Sequence, residues 1–425
     1  MAMNRSALVI GGGLAGMTAA KNLADQGYHT YLIEKTSALG GQALHLYKTW
    51  QGDDVSKYVA ECIHGINSSP NIDVLLNTRL KKADGFVGNF QSIVETKDKE
   101  QQIEHGVTII ATGATEYKPD QYLYGKDPRI LTALELDRKL IDKDDSLKDM
   151  NTAVFIQCVG SRNNENPYCS KVCCTHAVQN AIELKTLNSK MFVFILYRDI
   201  RTFGRREELY REAREKGVIF IRYDVDNEIN INPGKTGLEI NFISPDLQQG
   251  VKINANMLVL STAMRAPQEN PIAQLFKLPI NKEGFFIEAH VKLRPMDFSA
   301  AGIFVCGLAH SPKPIDESIA QGLGAASRAV TLLSKKKAFG SAIVSKPVDE
   351  NCDGCAFCID TCPFKALTLL EYMRNGEVKK TVETNEALCE GCGSCMATCP
   401  KLGIFVSGFT IDQLNAQVEA ALEIV

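Results

Sequence analysis

Two stretches near the C-terminus repeat one arrangement of cysteines. CDGCAFCIDTCP supplies Cys352, Cys355, Cys358 and Cys362 ahead of Pro363; CEGCGSCMATCP supplies Cys389, Cys392, Cys395 and Cys399 ahead of Pro400. Each reads C-x2-C-x2-C-x3-C-P. That spacing wraps three thiolates around one 4Fe–4S cubane and sends the fourth to a second cubane. It therefore groups Cys352, Cys355, Cys358 and Cys399 on one cluster, and Cys389, Cys392, Cys395 and Cys362 on the other. Zinc sites also use close cysteine pairs, but two matched four-cysteine runs, each closed by proline, form a cluster pattern.

Four more cysteines lie in QCVGSRNNENPYCSKVCCTHA, residues 157–177. Cys158, Cys169, Cys173 and Cys174 follow neither a ferredoxin nor a zinc-ribbon spacing. Adjacent cysteines can hold one group only if the backbone bends to make their side chains converge. The stretch follows an apolar strand-like run at 152–156, where a two-nucleotide flavoprotein would carry a glycine-rich phosphate loop. No G-x-G-x-x-G occurs in residues 150–262, so this region is read as unable to cradle a pyrophosphate. A 4Fe–4S cluster on these four residues would put a one-electron carrier where a hydride carrier would otherwise dock. Zinc on four thiolates is the alternative. The last two of the 14 cysteines, Cys62 and Cys306, stand alone and read as small buried hydrophobes.

The elements that must position this chemistry begin at the N-terminus. SALVIGGGLAGMTAAKNLADQGYHTYLIEK gives a strand at 7–10, a helix from Leu14 and a second strand at 28–33 ending at Glu34. Gly11, Gly13 and Gly16 sit between that first strand and the helix. Glycines there allow a tight turn and close backbone approach, so a pyrophosphate meets the amides of the helix N-terminus, where Gly11, Gly13, Leu14, Ala15 and Gly16 are expected to bind. Glu34, with Lys35 beside it, is placed to accept from a ribose diol. FAD is favoured over NAD by Gly41 and Gln42 a few residues on, by Ala111, Thr112 and Gly113 in TIIATGA, and by Gly307 in GIFVCGLAH. Leu308 stands where an aspartate is usual after that last glycine. A helix starting near Ile315, with Ser318 in its first turn, would turn backbone amides toward the pyrimidine end of the flavin.

The 425 residues allow two or three domains, and a formal net charge of −3 spread along the chain carries no nucleic-acid signature. The start MAMNRSALVIGGG lacks an apolar signal-peptide core, and no run reaches the ~18 apolar residues of a spanning helix. Clustered rather than scattered cysteines suit a reducing compartment, so a cytoplasmic location is expected. The fold class expected is α/β: a thioredoxin-reductase-like, two-dinucleotide-binding flavoprotein fold followed by a bacterial 2x4Fe–4S ferredoxin domain. Residues 1–118 and 263–333 form a discontinuous FAD domain. Residues 119–262 form a second α/β domain, 334–349 a linker, 350–408 the ferredoxin domain and 409–425 a C-terminal helix.

Taken together, the flavin fingerprint, YKTW, GFVGNF, CVGSR…YCSKVCCTHA, GLAHSPKPIDESIAQ, the ferredoxin runs and DQLNAQVEAAL resemble the A-type subunit of heterodisulfide reductase over nearly the whole chain. The resemblance implies FAD and three 4Fe–4S clusters, the third on Cys158, Cys169, Cys173 and Cys174. It implies an oxidoreductase complex with B- and C-type iron–sulfur subunits or their relatives and an electron-donor module, in which flavin-based bifurcation or confurcation occurs; a dimer and a peripheral place on a membrane complex are compatible with it. The chain departs from the long methanogen form in three ways. It starts almost at Gly11. It has only QSIVETKDKEQQIEHG between Phe90 and the TIIATGA strand, where that form inserts a second ferredoxin module. It has Gln179 where the family carries a lysine near the flavin.

The competing functional readings are a self-contained FAD oxidoreductase acting on NAD(P)H or a small substrate, and an assembly scaffold with inert clusters. Among the remaining residues, His176 reads as a surface or helix-capping residue, with a role at a cluster sulfur as the functional alternative. Residues 201–214 and 334–337 read as solvated charged segments. Trp50 reads as core, and the tail's Ile411, Leu414, Val418 and Leu422 as a face packed on its own chain.

Overall fold

The computed structural model describes residues 3–97, 99–225, 229–235, 237–335, 343–374, 377–386 and 388–423. The segment Ala7–Ile10 is apolar throughout and buried at every position, as a central strand of a parallel sheet covered on both faces must be. It sits in the middle of a five-stranded parallel sheet ordered Ile303–Val305, Val107–Ile110, Ala7–Ile10, Thr30–Ile33, Ile72–Leu75. The second strand begins at Thr30 rather than at 28, because the Tyr28 amide is taken up by the Leu23 carbonyl at the end of the preceding helix.

Helices Leu14–Asp25 and Ile315–Leu333 pack on each other beside this sheet. Small residues let them approach: a side chain at Gly322 would meet the Ala15 carbonyl. A core containing Leu8, Ile10, Ile110, Leu80, Val94 and Ile103 joins the sheet to a three-stranded meander of Thr78–Phe86, Asn89–Thr96 and Lys99–His105.

The second α/β unit repeats the plan. Its parallel sheet is ordered Ile219–Arg222, Phe192–Tyr197, Thr152–Val159, Met257–Thr262, Ile130–Thr132. Helices Ala133–Ile141 and Cys173–Leu187 share one core with it. A meander of Asn230–Pro233, Leu238–Ser244 and Gln249–Ala255 shares another. Thr132 and Glu135 close a capping box at the start of Ala133–Ile141, satisfying two orphan amides. The chain passes between the units through two short strands, Thr115–Glu116 and Met264–Arg265, which pair antiparallel.

Within the segment read as a linker, Ser345–Pro347 is a strand, paired antiparallel with Ile404–Val406 at the far end of the ferredoxin-like unit. Residues 336–342 of that segment lie outside the described residues. The unit contains a hairpin of Leu367–Arg374 and Glu377–Thr384 and two short helices, Phe357–Thr361 and Ser394–Thr398. The C-terminal helix Ile411–Glu423 departs from the expectation that it packs on its own chain: Ile411, Leu414, Val418 and Leu422 are all exposed. Among the described residues no helix is long and apolar enough to cross a membrane.

Candidate functional site

The dinucleotide fingerprint folds into a cradle from which side chains are excluded. Gly11 has φ 114°, in the region that favours glycine, and a Cβ there would strike the Ala111 carbonyl. A Cβ on Gly16 would strike the Gly11 carbonyl, whereas Gly13 faces open space. Leu14 and Ala15 form the first turn of the helix above it. The Glu34 carboxylate is buried, accepting from the Gly12 amide at 2.7 Å and from the Thr36 amide and hydroxyl at 2.9 Å each. A carboxylate has lone pairs to spare beyond these, so a ribose diol can still be accommodated. Lys35 is exposed.

Gly41 lies against Gly13 through the Gly13–Gly40 bridge, and Gln42 reaches the Ala114 carbonyl at 3.4 Å. Ala111 follows the strand Val107–Ile110, and Gly113, at φ 75°, faces open space as Gly13 does. Gly307, φ 70°, lies against Ala15 in the first turn of the fingerprint helix. Ile315 opens the long helix and Ser318 is buried in its first turn. These residues come from five separate stretches of sequence and line one end of the first sheet. The set fits a dinucleotide.

The four cysteines of the second unit lie where its first strand crosses to its helix. Cys158 is near the end of Thr152–Val159, in a register shift, and takes φ 63°, which is costly for any residue but glycine. Cys173 and Cys174 are the first two residues of helix Cys173–Leu187. Cys173 lies within electrostatic reach of the other three, and Cys174 of Cys158 and Cys169. The Cys173 thiol is pushed well above its ordinary range by burial and then by Cys174, Cys158 and Cys169. Burial is also the main reason Cys174 is pushed up to about 11. Buried thiols that resist ionisation become ligands when a cationic metal compensates the thiolate charge. The Lys171 amide donates to Cys169 Sγ at 3.4 Å, and Arg162 Nη1 lies 3.8 Å from Cys158 Sγ.

In the ferredoxin-like unit two hollows open. One is lined by Cys352, Cys355, Cys358 and Cys399; the other by Cys362, Cys389, Cys392 and Cys395. The two halves repeat their backbone. Gly354 and Gly391, Ala356 and Gly393, and Lys365 and Leu402 are equivalent positions, and all six have positive φ. Successive turns of this kind point amides inward, a concavity suited to anionic groups. Equivalent amides meet equivalent sulfurs: Ala366 N donates to Cys362 Sγ at 3.4 Å and Gly403 N to Cys399 Sγ at 3.2 Å. Among the described residues no three cysteine, histidine, aspartate or glutamate side chains converge on a position for one metal ion.

The second hollow is the one nearer the flavin-type unit. Lys277 donates to the Cys362 carbonyl at 3.3 Å. A cleft between the two bodies is lined by Phe90 and Phe276 on one side and Phe364 and Leu388 on the other.

Several residues that sequence reasoning missed tie the cysteine-bearing unit to the flavin-type unit. Asp137, fully buried, accepts from the Tyr47 amide at 2.9 Å and from Asn180 Nδ2 at 2.8 Å, and lies 2.8 Å from His176 Nε2. His176 is therefore neither a surface nor a capping residue. Burial opposes its charge, but the Asp137 carboxylate outweighs that and raises its pKa. Lys48 pairs with Glu183 at 2.9 Å, and Gln179 Nε2 reaches the same carboxylate at 3.1 Å. Arg206 pairs with Asp316 at 2.7 Å and covers the Trp50 ring, which itself packs on the second core. No local pattern marks such pairs, because each partner lies on a different element.

Residues 5–161 match the family described as pyridine nucleotide-disulphide oxidoreductase, and residues 351–402 match the 4Fe-4S dicluster domain. The chain is similar to the A-type subunit of the H(2):CoB-CoM heterodisulfide,ferredoxin reductase of Methanothermobacter thermautotrophicus, with 32% identity covering 99% of this chain and 77% of that protein. It is also similar to the A-type iron-sulfur subunit of the CoB--CoM heterodisulfide reductase of Methanocaldococcus jannaschii, with 30% identity covering 87% and 70%. Among solved structures, thioredoxin reductase of Lactococcus lactis superposes with a TM-score of 0.54 at 18% identity, covering 77% of this chain and 99% of that one. That of T. acidophilum gives 0.52 at 16%, covering 77% and 97%. These structures share the fold.

Proposed function

The chain belongs to the family of A-type heterodisulfide reductase subunits, an oxidoreductase family, and on that premise we propose an electron-transfer subunit with FAD and three 4Fe–4S clusters. The clusters are assigned to Cys158, Cys169, Cys173 and Cys174; to Cys352, Cys355, Cys358 and Cys399; and to Cys362, Cys389, Cys392 and Cys395. The FAD is assigned to the cradle of Gly11, Gly13, Leu14, Ala15 and Gly16, with Glu34, Lys35, Gly41, Gln42, Ala111, Thr112, Gly113, Gly307, Ile315 and Ser318 around it. Bound FAD exchanges electrons singly or in pairs and clusters exchange them singly, which makes the flavin the branching point.

The observation that carries this reading is the strand-to-helix crossover after Thr152–Val159. A nicotinamide-nucleotide domain needs small residues and free helix-terminal amides there. This chain instead places four cysteines there, two of them on the first turn of the helix and within electrostatic reach of the other two. Lys171 in that loop lies 4.0 Å from Glu317 on the helix that opens at Ile315.

The chain's own residues bind and orient. Amides at the start of Leu14–Asp25 meet the pyrophosphate, Glu34 holds the ribose, and the first turn of Ile315–Leu333 directs its amides toward negative charge on the ring. The partners follow from the family: the similar proteins are subunits of heterodisulfide reductases, so B- and C-type iron–sulfur subunits and an electron-donor module would assemble with this chain, and electrons would be passed or split between them.

Elemental and flavin analysis of anaerobically purified protein tests the assignment. About twelve irons and one FAD per chain are expected; zinc, or about eight irons, would remove the third cluster. Rapid bleaching of the flavin by NADH alone in stopped flow would favour the self-contained oxidoreductase.

A further inference from the structure

Among the described residues one buried cation, between the flavin cradle and the cysteine loop, has no carboxylate in ion-pair contact, although Glu317 and Glu288 lie within electrostatic reach. Lys313 is 7% exposed. Its ammonium donates to the Gly307 carbonyl at 2.6 Å, to the Ser311 carbonyl at 2.8 Å and to the Ser311 hydroxyl at 3.2 Å. All three acceptors are neutral. Among the described residues no carboxylate comes within the 4.0 Å of an ion pair; Glu288 is held by His310 and Glu317 by Arg206 and Lys171. Burial, and then the nearby Lys171 charge, push its pKa down to about 8.

The position is specific. Gly307, whose carbonyl takes the ammonium, lies against Ala15 in the first turn of the fingerprint helix. Lys313 itself stands two residues before Ile315, where the long helix opens, between Pro312 and Pro314, which restrict the backbone. A buried ammonium with neutral partners is costly unless something negative completes its surroundings. The helix terminus beside it contributes further positive potential rather than compensation.

We propose that the Lys313 ammonium is a positioning charge for reduced FAD, holding the negative charge that a single added electron places on the ring and so favouring the anionic form. The inference rests on the assignment of FAD to this cradle. The electron comes from an external one-electron donor, dithionite in the assay. It arrives without a proton, Lys313 keeps its own proton, and no bond is made or broken.

The test uses the full holoprotein, purified anaerobically, with four chains compared: wild type, Lys313→Met, Lys313→Gln and Lys313→Arg. Lys313→Met removes charge and hydrogen bonds; Lys313→Gln keeps a donor for Gly307 and Ser311 without the charge. Spectroelectrochemical titration of the flavin is expected to show a roughly tenfold smaller equilibrium constant for the first electron in both neutral variants. That is about 59 mV for a one-electron couple. Their one-electron-reduced spectrum should shift from the anionic toward the neutral form, while Lys313→Arg stays near wild type. A Lys313→Gln variant with wild-type potential and spectrum would overturn the proposal. So would loss of FAD from Lys313→Met alone, with Lys313→Gln holding FAD at the wild-type potential, which would make the residue a brace for its loop. Absence of FAD from the wild-type protein would instead sink the cradle assignment itself.

Discussion

Single residues here hold conformations their types do not favour, at the places where cysteines gather. Ala356 takes φ 67° at the position where the second half of the repeat has Gly393. The left-handed region costs an L-residue ~1–2 kcal/mol that glycine avoids. Ala356→Gly is therefore expected to stabilise the ferredoxin-like unit by about 1 kcal/mol, less any gain in unfolded-chain entropy. A rise in the thermal midpoint of the holoprotein at unchanged iron content checks this. Cys158 carries the same strain, so Cys158→Ser should lower the iron content by about four per chain while leaving FAD in place. Iron retained at the wild-type level would remove Cys158 from its assigned set. The grouping of the C-terminal cysteines is legible because ligand spacing is local and covalent. The roles of Asp137 and Lys313 are not, since a carboxylate or ammonium gains its character from the groups the fold brings beside it.

Elements follow their sequences where burial is two-sided and depart from them at the edges. Ala7–Ile10 and the helix at Leu14 are legible because a buried parallel strand is apolar throughout and the glycine turn after it sets where the helix begins. Ser345–Pro347 is not: three residues of mixed polarity become a strand only because Ile404–Val406 offers an edge. In the meander of the first unit, His105 is fully buried, with Nε2 2.9 Å from the Ser92 hydroxyl and Nδ1 2.9 Å from the Val107 carbonyl. Burial lowers its pKa from 6.5 to about 4. The native state therefore resists a proton that the unfolded chain accepts. The contribution is fully present above pH 6.5 and is lost as pH falls toward 4, by about 3 kcal/mol in all. His105→Asn should flatten the dependence of the urea midpoint on pH across that window. An unchanged slope would show that other groups set it. The helix Ile411–Glu423, exposed on its apolar side, contributes no core, so removing residues 411–425 is expected to leave the melting temperature within about 1 °C.

At the scale of the whole molecule, the two α/β units are held in one relative orientation by apolar packing, with Trp50 on the second core and Phe285 beside Tyr168, and by polar contacts between the units. Asp137 joins Tyr47 of one unit to His176 and Asn180 of the other, Lys48 reaches Glu183, and Arg206 reaches Asp316. Asp137→Ala leaves a partly buried histidine, the buried Asn180 amide and the Tyr47 amide without their acceptor, a loss on the order of 1–3 kcal/mol. Faster hydrogen exchange at the Tyr47 amide and at residues 47–54, with iron content retained, would show the units released from one another. The third body is differently attached. Its first and last strands, Ser345–Pro347 and Ile404–Val406, run side by side, so the chain enters and leaves it through neighbouring positions ~4.8 Å apart. A unit whose ends already meet can be spliced into a surface loop of a host protein with little added loop-closure entropy. Such a cassette can be gained, duplicated or moved by simple insertion, without redrawing the fold that receives it.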